Sequence, residues 1–438
     1  MAAQLVRQKL QQTADQPDAL PADPSDLFDW MQDNVARVHA RYQSYLERRQ
    51  AGGPRQYFSS RSHALYFLRN VAPTKLVDGA WLYGLCAHAG NPRLSDLVAT
   101  YVEELGEGQA DKNHVKLYRD LLTRHGLDGD AELPDALYEQ GLVQLALGWN
   151  AADFLPEIVG FNLAYEQLPL HLLISAYELN ELGIDPYYFT LHVTVDNAGT
   201  GHARRACQAA LALAPRIHDG DEYWQRVRAG ARLGDVGVST LDVIQGFDLE
   251  AEVLRILRRK ATAGDGAHGD FCKIGGRSVN EWLGDPESMP DFLRAMEQGG
   301  WIQRHQPAEN SRFWQLLQGE RAEMFGVFSA YELQVIHDWL RGDGAADGAA
   351  YAAQPQPPAR RRPMSFRAAQ RLKALQASAA PAAPSGAELL DPDLAAFEAR
   401  YPALSAEDKH ALLVQAMAPA LHWTPVGLHA TRVFTAGA

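Results

Sequence analysis

The sequence predicts an all-α protein: a helical bundle followed by a C-terminal helical extension. Three observations carry this prediction. Apolar residues recur three and four apart through most of the first 340 positions, strand-like alternation of apolar and polar residues is almost missing, and Gly and Pro fall mostly between the periodic segments rather than inside them.

Taken in order, residues 1–25 are polar, rich in Gln, Ala and Asp, and read as a flexible lead-in. A helical pattern starts at Leu27 and runs to Leu46, where Gly52-Gly53-Pro54 stops it. Helices follow over 62–71, 94–105, 113–123, 136–147, 155–168 and 171–181, and the 76–88 segment is apolar on most faces and so buried. The clearest pattern spans 185–213: Gly183 suits the end of the preceding helix, and Asp185-Pro186 supplies a cap and a first-turn proline. A second helical block covers 240–341, with helices over 249–261, 279–283, 289–298 and 313–340, and its tryptophans Trp282, Trp301, Trp314 and Trp339 read as packing residues. Residues 342–386 are dominated by Ala, Gly, Pro and Arg and read as a linker with a short helix near 366–376. Residues 387–438 form a small C-terminal helical piece. The organisation is thus 1–25, 26–239, 240–341, 342–386 and 387–438.

Composition narrows the function. The net charge of −13 and pI near 5.6 oppose a nucleic-acid footprint, which needs a basic face. Cys86, Cys207 and Cys272 form no CxxC pair, which excludes a zinc ribbon and a disulfide framework and fits a cytoplasmic protein. The first 24 residues hold no apolar signal core, and no stretch approaches the ~18 apolar residues needed to span a bilayer.

The residues able to do chemistry gather in three segments. In Leu191-His192-Val193-Thr194-Val195-Asp196, the imidazole and the carboxylate are four apart, so they share one helix face among apolar neighbours. A buried carboxylate beside an imidazole needs a partner, either a structural hydrogen bond or a metal. Glu166 stands in the apolar run 160–168, and Glu157, nine residues earlier, faces the other way. In the segment from Glu103 to His114, two glycines separate Glu104 from His114. Straight-helix arithmetic would align Glu107, not Glu104, with His114. Asp78 and His88 lie in the apolar 76–88 segment, as pocket-lining or structurally paired groups. A ferritin-type site needs two Glu-x-x-His pairs, and only Glu407-x-x-His410 is present, in the polar tail. Asp265 to Cys272 reads as an ordered turn, and Gly275-Gly276-Arg277-Ser278 is no P-loop.

The ordered combination of the three segments resembles the haem-oxygenase-like di-iron oxidases and oxygenases. These have a Glu about ten residues before a His, then a Glu closing an aromatic-containing segment, then His-x3-Asp-x2-His on a third helix. Glu104-Leu105-Gly106 with Asn113-His114, then Gly160 to Glu166, then Tyr188 to Asp196 follow that order over residues 60–215. The chain departs from it at Gly199, where the pattern places its last His. His202 is three residues further on, about 240° from Asp196 on an ideal helix, and reaches the same site only through a kink or bulge at the glycines.

The resemblance implies a haem-oxygenase-like bundle binding two Fe ions through Glu104, His114, Glu166, His192 and Asp196, with His202 as a sixth ligand and Glu107 as the alternative to Glu104. It further implies a dioxygen-dependent oxidase or oxygenase acting on a small amino-acid-derived or amine-bearing metabolite. Mixed imidazole and carboxylate shells with open positions suit iron that activates dioxygen. The partners expected are the substrate and O2, with no nucleic acid and no membrane, and the chain could form a homodimer. Two other readings stay open: a helical binding scaffold with a degenerate metal site, and a metal-free cofactor-processing enzyme of the same fold. The latter predicts a pocket in which no metal ligands converge.

Overall fold

A computed structural model describes residues 1–129, 133–195, 201–217, 219–264, 266, 268–269, 271–319, 322–342 and 391–437. Among them the regular structure is helical, apart from a two-residue antiparallel pairing of Lys273–Ile274 with Arg277–Ser278 around a glycine turn. The all-α expectation holds. The short helix expected near 366–376 lies outside the described residues.

The first 25 residues correct the sequence reading. Ala2–Gln12 is a helix, Val6 is fully buried, and Lys9 pairs with Glu139 of the Glu139–Trp149 helix. The segment is rich in Ala, Gln and Leu, which are good helix formers. It buries too narrow a stripe to stand out as periodic. The helix expected over 313–340 is two, Arg312–Gln318 and Ala330–Arg341. Gly319 takes an extended conformation after the first, and Ser329 opens the second with a reciprocal capping box to Glu332.

Two apolar cores hold the bundle together. One is built from Trp81, Leu97, Tyr101, Leu147, Ile158, Phe161, Ala206 and Val227 with their neighbours, and the C-terminal Phe397, Leu413, Met417 and Phe434 join it. The other runs from Phe58, Leu65 and Phe67 through Tyr118, Leu179, Tyr188 and Phe189 to Ile256, Trp314, Ile336 and Trp339. The 249–341 helices therefore share a core with the first half of the chain. A buried Arg69–Glu252 ion pair at 3.2 Å and a Tyr331 hydroxyl donating to Glu252 at 2.7 Å stitch the same seam.

In the first core, Leu155–Tyr165 and Gly220–Arg232 cross with backbones in near contact. A Cβ on Gly160 would lie 1.7 Å from the Val227 carbonyl oxygen, and one on Gly230 would lie 2.0 Å from that of Glu157. Only glycine permits this approach, and Leu155–Tyr165 leads directly into Glu166.

Candidate metal centre

Each site residue sits at or near the end of a helix. Glu104 closes Ser95–Glu104, and Asn113 caps His114–Arg124 by accepting from the Lys116 N–H at 2.9 Å, so His114 is that helix's first residue. Between them Gly106 turns the chain with φ 63°, and Glu107 follows at φ 53° with its side chain exposed. The turn breaks the straight-helix alignment. Glu104, not Glu107, lies beside His114. Glu166 is the C-terminal cap of Leu155–Tyr165, and His192 lies within Tyr187–Val195.

The single helix expected over 185–213 is two, Tyr187–Val195 and His202–Leu213. Gly201 is extended, so His202 opens a new helix instead of continuing the old one, and the 240° offset no longer applies. Its imidazole, fully buried, meets Glu166 and Glu104. Asp196 and Gly199 lie outside the described residues.

These side chains form two groups that could each hold a metal ion. Asp78, Glu104, His114 and His192 each offer one ligand atom, with all four atoms within 4.8 Å of one another, and so do Glu104, Glu166 and His202. All six residues are buried, and Glu104 belongs to both groups. The sequence offered Asp78 only as a pocket or pairing residue. Its partners are 26 to 114 positions away, so no local pattern could single it out. Glu103 was missed as well, although the Glu103-Glu104 pair places one carboxylate in the site and the other against His202.

The hydrogen bonds fix how the imidazoles present themselves. His192 Nδ1–H donates to the Tyr188 carbonyl at 2.8 Å, which turns Nε2 toward Asp78 Oδ2 at 3.0 Å. His202 Nε2 faces Glu103 Oε2 at 3.1 Å, and Arg205 holds the other Glu103 oxygen at 2.9 Å. The remaining nitrogen of His202, Nδ1, faces Glu166 Oε2 at 3.0 Å and Glu104 Oε1 at 3.2 Å. His114 Nδ1 touches Glu104 Oε2 directly and lies 3.8 Å from Asp78 Oδ2. Tyr188 also donates its hydroxyl to Asp78 Oδ2 at 2.8 Å.

A neutral imidazole carries one N–H. Once that proton is given to Tyr188 O or Glu103, the other nitrogen points a lone pair at carboxylate oxygens. Such a pairing is stable only with a cation between the two, either a proton or a metal. The outer contacts are those that orient metal-ligating histidines. Burial pushes the Asp78 and Glu104 carboxyls up, but contacts with His192 and the charge of Lys75 for Asp78, and with His114 and His202 for Glu104, outweigh it. Both stay ionised, Glu104 well below the usual carboxylate range. Burial likewise raises Glu103, but His202 and Arg205 bring it down to about 2. Three buried acids, Asp78, Glu104 and Glu166, thus face three imidazoles. Within 4 Å, the cationic partners of Asp78 and Glu104 among the described residues are imidazoles rather than Lys or Arg. Such a donor set fits a divalent transition metal.

Of the other sequence candidates, Glu157 pairs with Arg226 at 2.7 Å, His410 packs beside Phe434, and Ser278 caps Val279–Leu283 through a capping box with Glu281. No helix among the described residues is long and apolar enough to cross a membrane.

The model of a haem-oxygenase-type family described as iron-containing redox enzymes matches residues 65–235, less than half of the chain. No curated protein and no solved structure matches the chain. The matched segment holds every member of both ligand groups, and over it the chain is similar to this family of iron-containing redox enzymes.

Proposed function

We propose that the chain is a non-haem di-iron oxidase or oxygenase that uses dioxygen on a small amino-acid-derived or amine-bearing metabolite. One observation carries the nuclearity: two buried ligand groups meet at a single carboxylate, Glu104, as a bridge between two ions requires. Asp78, His114 and His192 would hold one ion, and Glu166 and His202 the other, with Asp196 the further ligand that the family pattern supplies. The substrate class rests on the family resemblance.

Bound iron would supply the electrons that reduce dioxygen. The protein's part is to hold and orient. Glu103 and the Tyr188 carbonyl fix the ring orientations of His202 and His192 by taking their spare N–H groups. Four carboxylates, Asp78, Glu104, Glu166 and Asp196, would balance the charge of two divalent ions in the buried site. Buried Tyr188 packs against the His114 and His192 rings, and Tyr118 packs against Tyr188 in turn, which makes this side of the site apolar.

The test is metal content of protein produced with iron and purified without chelator. About two irons per chain are expected for the wild type, falling to about one in both His192→Ala and His202→Ala. About one iron in the wild type would make the site mononuclear. No iron in a well-folded wild type would sink the reading and bring forward a helical scaffold with a degenerate site.

A further inference from the structure

The C-terminal unit of three helices, Pro392–Arg400, Ala406–Ala416 and Pro425–Gly437, lies outside the segment that matches the iron-containing family, yet it is built onto the turn between Glu104 and His114. Tyr101, one helical turn before Glu104, donates its hydroxyl to the Met417 carbonyl at 2.6 Å. Arg432 donates to the Gly108 carbonyl at 2.7 Å, and the Arg119 guanidinium lies 3.9 Å over the Trp423 ring.

At the centre of this contact is Asn113. Its Oδ1 is committed to the Lys116 N–H as the helix cap, so the amide orientation is fixed and Nδ2 is the donor. Nδ2 reaches the Leu105 carbonyl at 3.2 Å, His422 Nδ1 at 3.0 Å and the His422 carbonyl at 3.3 Å. One buried side chain thereby ties the end of the Glu104 helix, the start of the His114 helix and the C-terminal unit. Because His422 Nδ1 accepts, the proton of the neutral ring is on Nε2, which is buried and has no hydrogen-bond partner among the described residues. Burial holds this imidazole down to about 3, so the ring is neutral and Nδ1 remains an acceptor.

We infer that His422 is a positioning residue of the metal centre: through Asn113 it sets the spacing of Glu104 and His114, so the C-terminal unit is a working part of the site. The inference rests on the metal-centre reading. Without the acceptor at His422, Asn113 keeps its cap but loses one of the bonds that hold the two helix ends together. Partners bonded directly to a ligand are worth about 10–100-fold in metal affinity; His422 acts one residue further out, so the expected loss lies at the lower end, about tenfold.

The experiment titrates full-length, metal-free protein with Co(II), read by its visible absorption, beside the thermal midpoint of the metal-free forms. His422→Leu keeps an apolar side chain in place but removes the acceptor. His422→Asn places an amide oxygen near the position of Nδ1. The Leu variant should bind Co(II) about tenfold more weakly with an altered spectrum, and the Asn variant should recover both affinity and spectrum. Asn113→Ser, which retains the cap but cannot span to His422, should reproduce the loss and serves if the Leu variant does not fold. Wild-type affinity and spectrum in His422→Leu, or equal impairment of the Leu and Asn variants, would overturn the inference. A wild type that takes up no Co(II) would overturn the metal-centre reading and the inference with it.

Discussion

Glu104 is the residue whose removal separates a shared site from two adjacent ones. In Glu104→Ala each ligand group loses one member, the first falling from four to three and the second from three to two among the described residues. Mutation of an outer contact costs about 10–100-fold in affinity, so loss of a direct ligand should cost at least that for each ion. At about 1.4 kcal/mol per tenfold, this is roughly 1.4–2.7 kcal/mol per ion and about 3–5 kcal/mol for the pair. The metal-free fold should survive at reduced stability, because the contacts of Glu104 with His114 and His202 are lost but both imidazoles can become neutral. The measurement is Fe(II) binding by anaerobic calorimetry, with melting curves at zero and saturating metal. Glu104→Ala should lose both binding events and most of the metal-induced rise in midpoint. Glu107→Ala should bind as the wild type does, since Glu107 is exposed and turned away. If Glu104→Ala kept one ion at undiminished affinity, the bridge would be refuted and the two groups would be independent.

Three further outcomes follow from the packing. Glu252 is raised by burial, but its bonds from Arg255 and Tyr331 and the Arg69 charge outweigh this and lower it below its ordinary 4.5. Its stabilisation is therefore present above that value and lost as pH falls through the lower folded value, so the deficit of Glu252→Gln in urea unfolding should be full at pH 7 and shrink below about pH 4.5. Gly160→Ala should destabilise by about 3 kcal/mol, since its Cβ would collide with the Val227 backbone, and should weaken metal binding as Glu166 shifts; an unchanged midpoint would contradict the close crossing. Val6→Ala should cost roughly 1.5–2 kcal/mol if the first helix is part of the core, and nothing measurable by calorimetry if it is not.

Most of the helices were legible because amphipathic periodicity is local. The long-range features were not. The cap at Asn113 and the turn at Gly106 decide that Glu104 rather than Glu107 enters the site, and periodicity carried through the glycines gives the opposite answer. Asp78 carries no local mark, because its meaning depends on His114 and His192 arriving from other helices. The first helix looks like a polar lead-in in the sequence because its buried stripe reduces to Val6. His422 was invisible for the same reason as Asp78: its partner is 309 residues earlier in the chain.

His202 shows how the chain can depart from the family's spacing at Gly199 and still deliver an imidazole. A histidine three residues after Asp196 would need a continuous helix to carry it inward. Here Tyr187–Val195 has ended before His202, Gly201 is extended, and His202 arrives as the first residue of a helix rooted in the other core through Ala203, Ala206 and Ala210. The consequence concerns the whole molecule. His114 and His192 stand on helices whose Tyr118, Tyr188 and Phe189 belong to the second core, whereas Glu104, Glu166 and His202 stand on helices of the first. On the di-iron reading, each ion is held mainly by one core, and Glu104 joins the two. Metal loading should then protect the Gly106 turn and the start of His202–Leu213 together from hydrogen exchange, although the two are remote in sequence. Protection of only one of them would mean that the cores load separately.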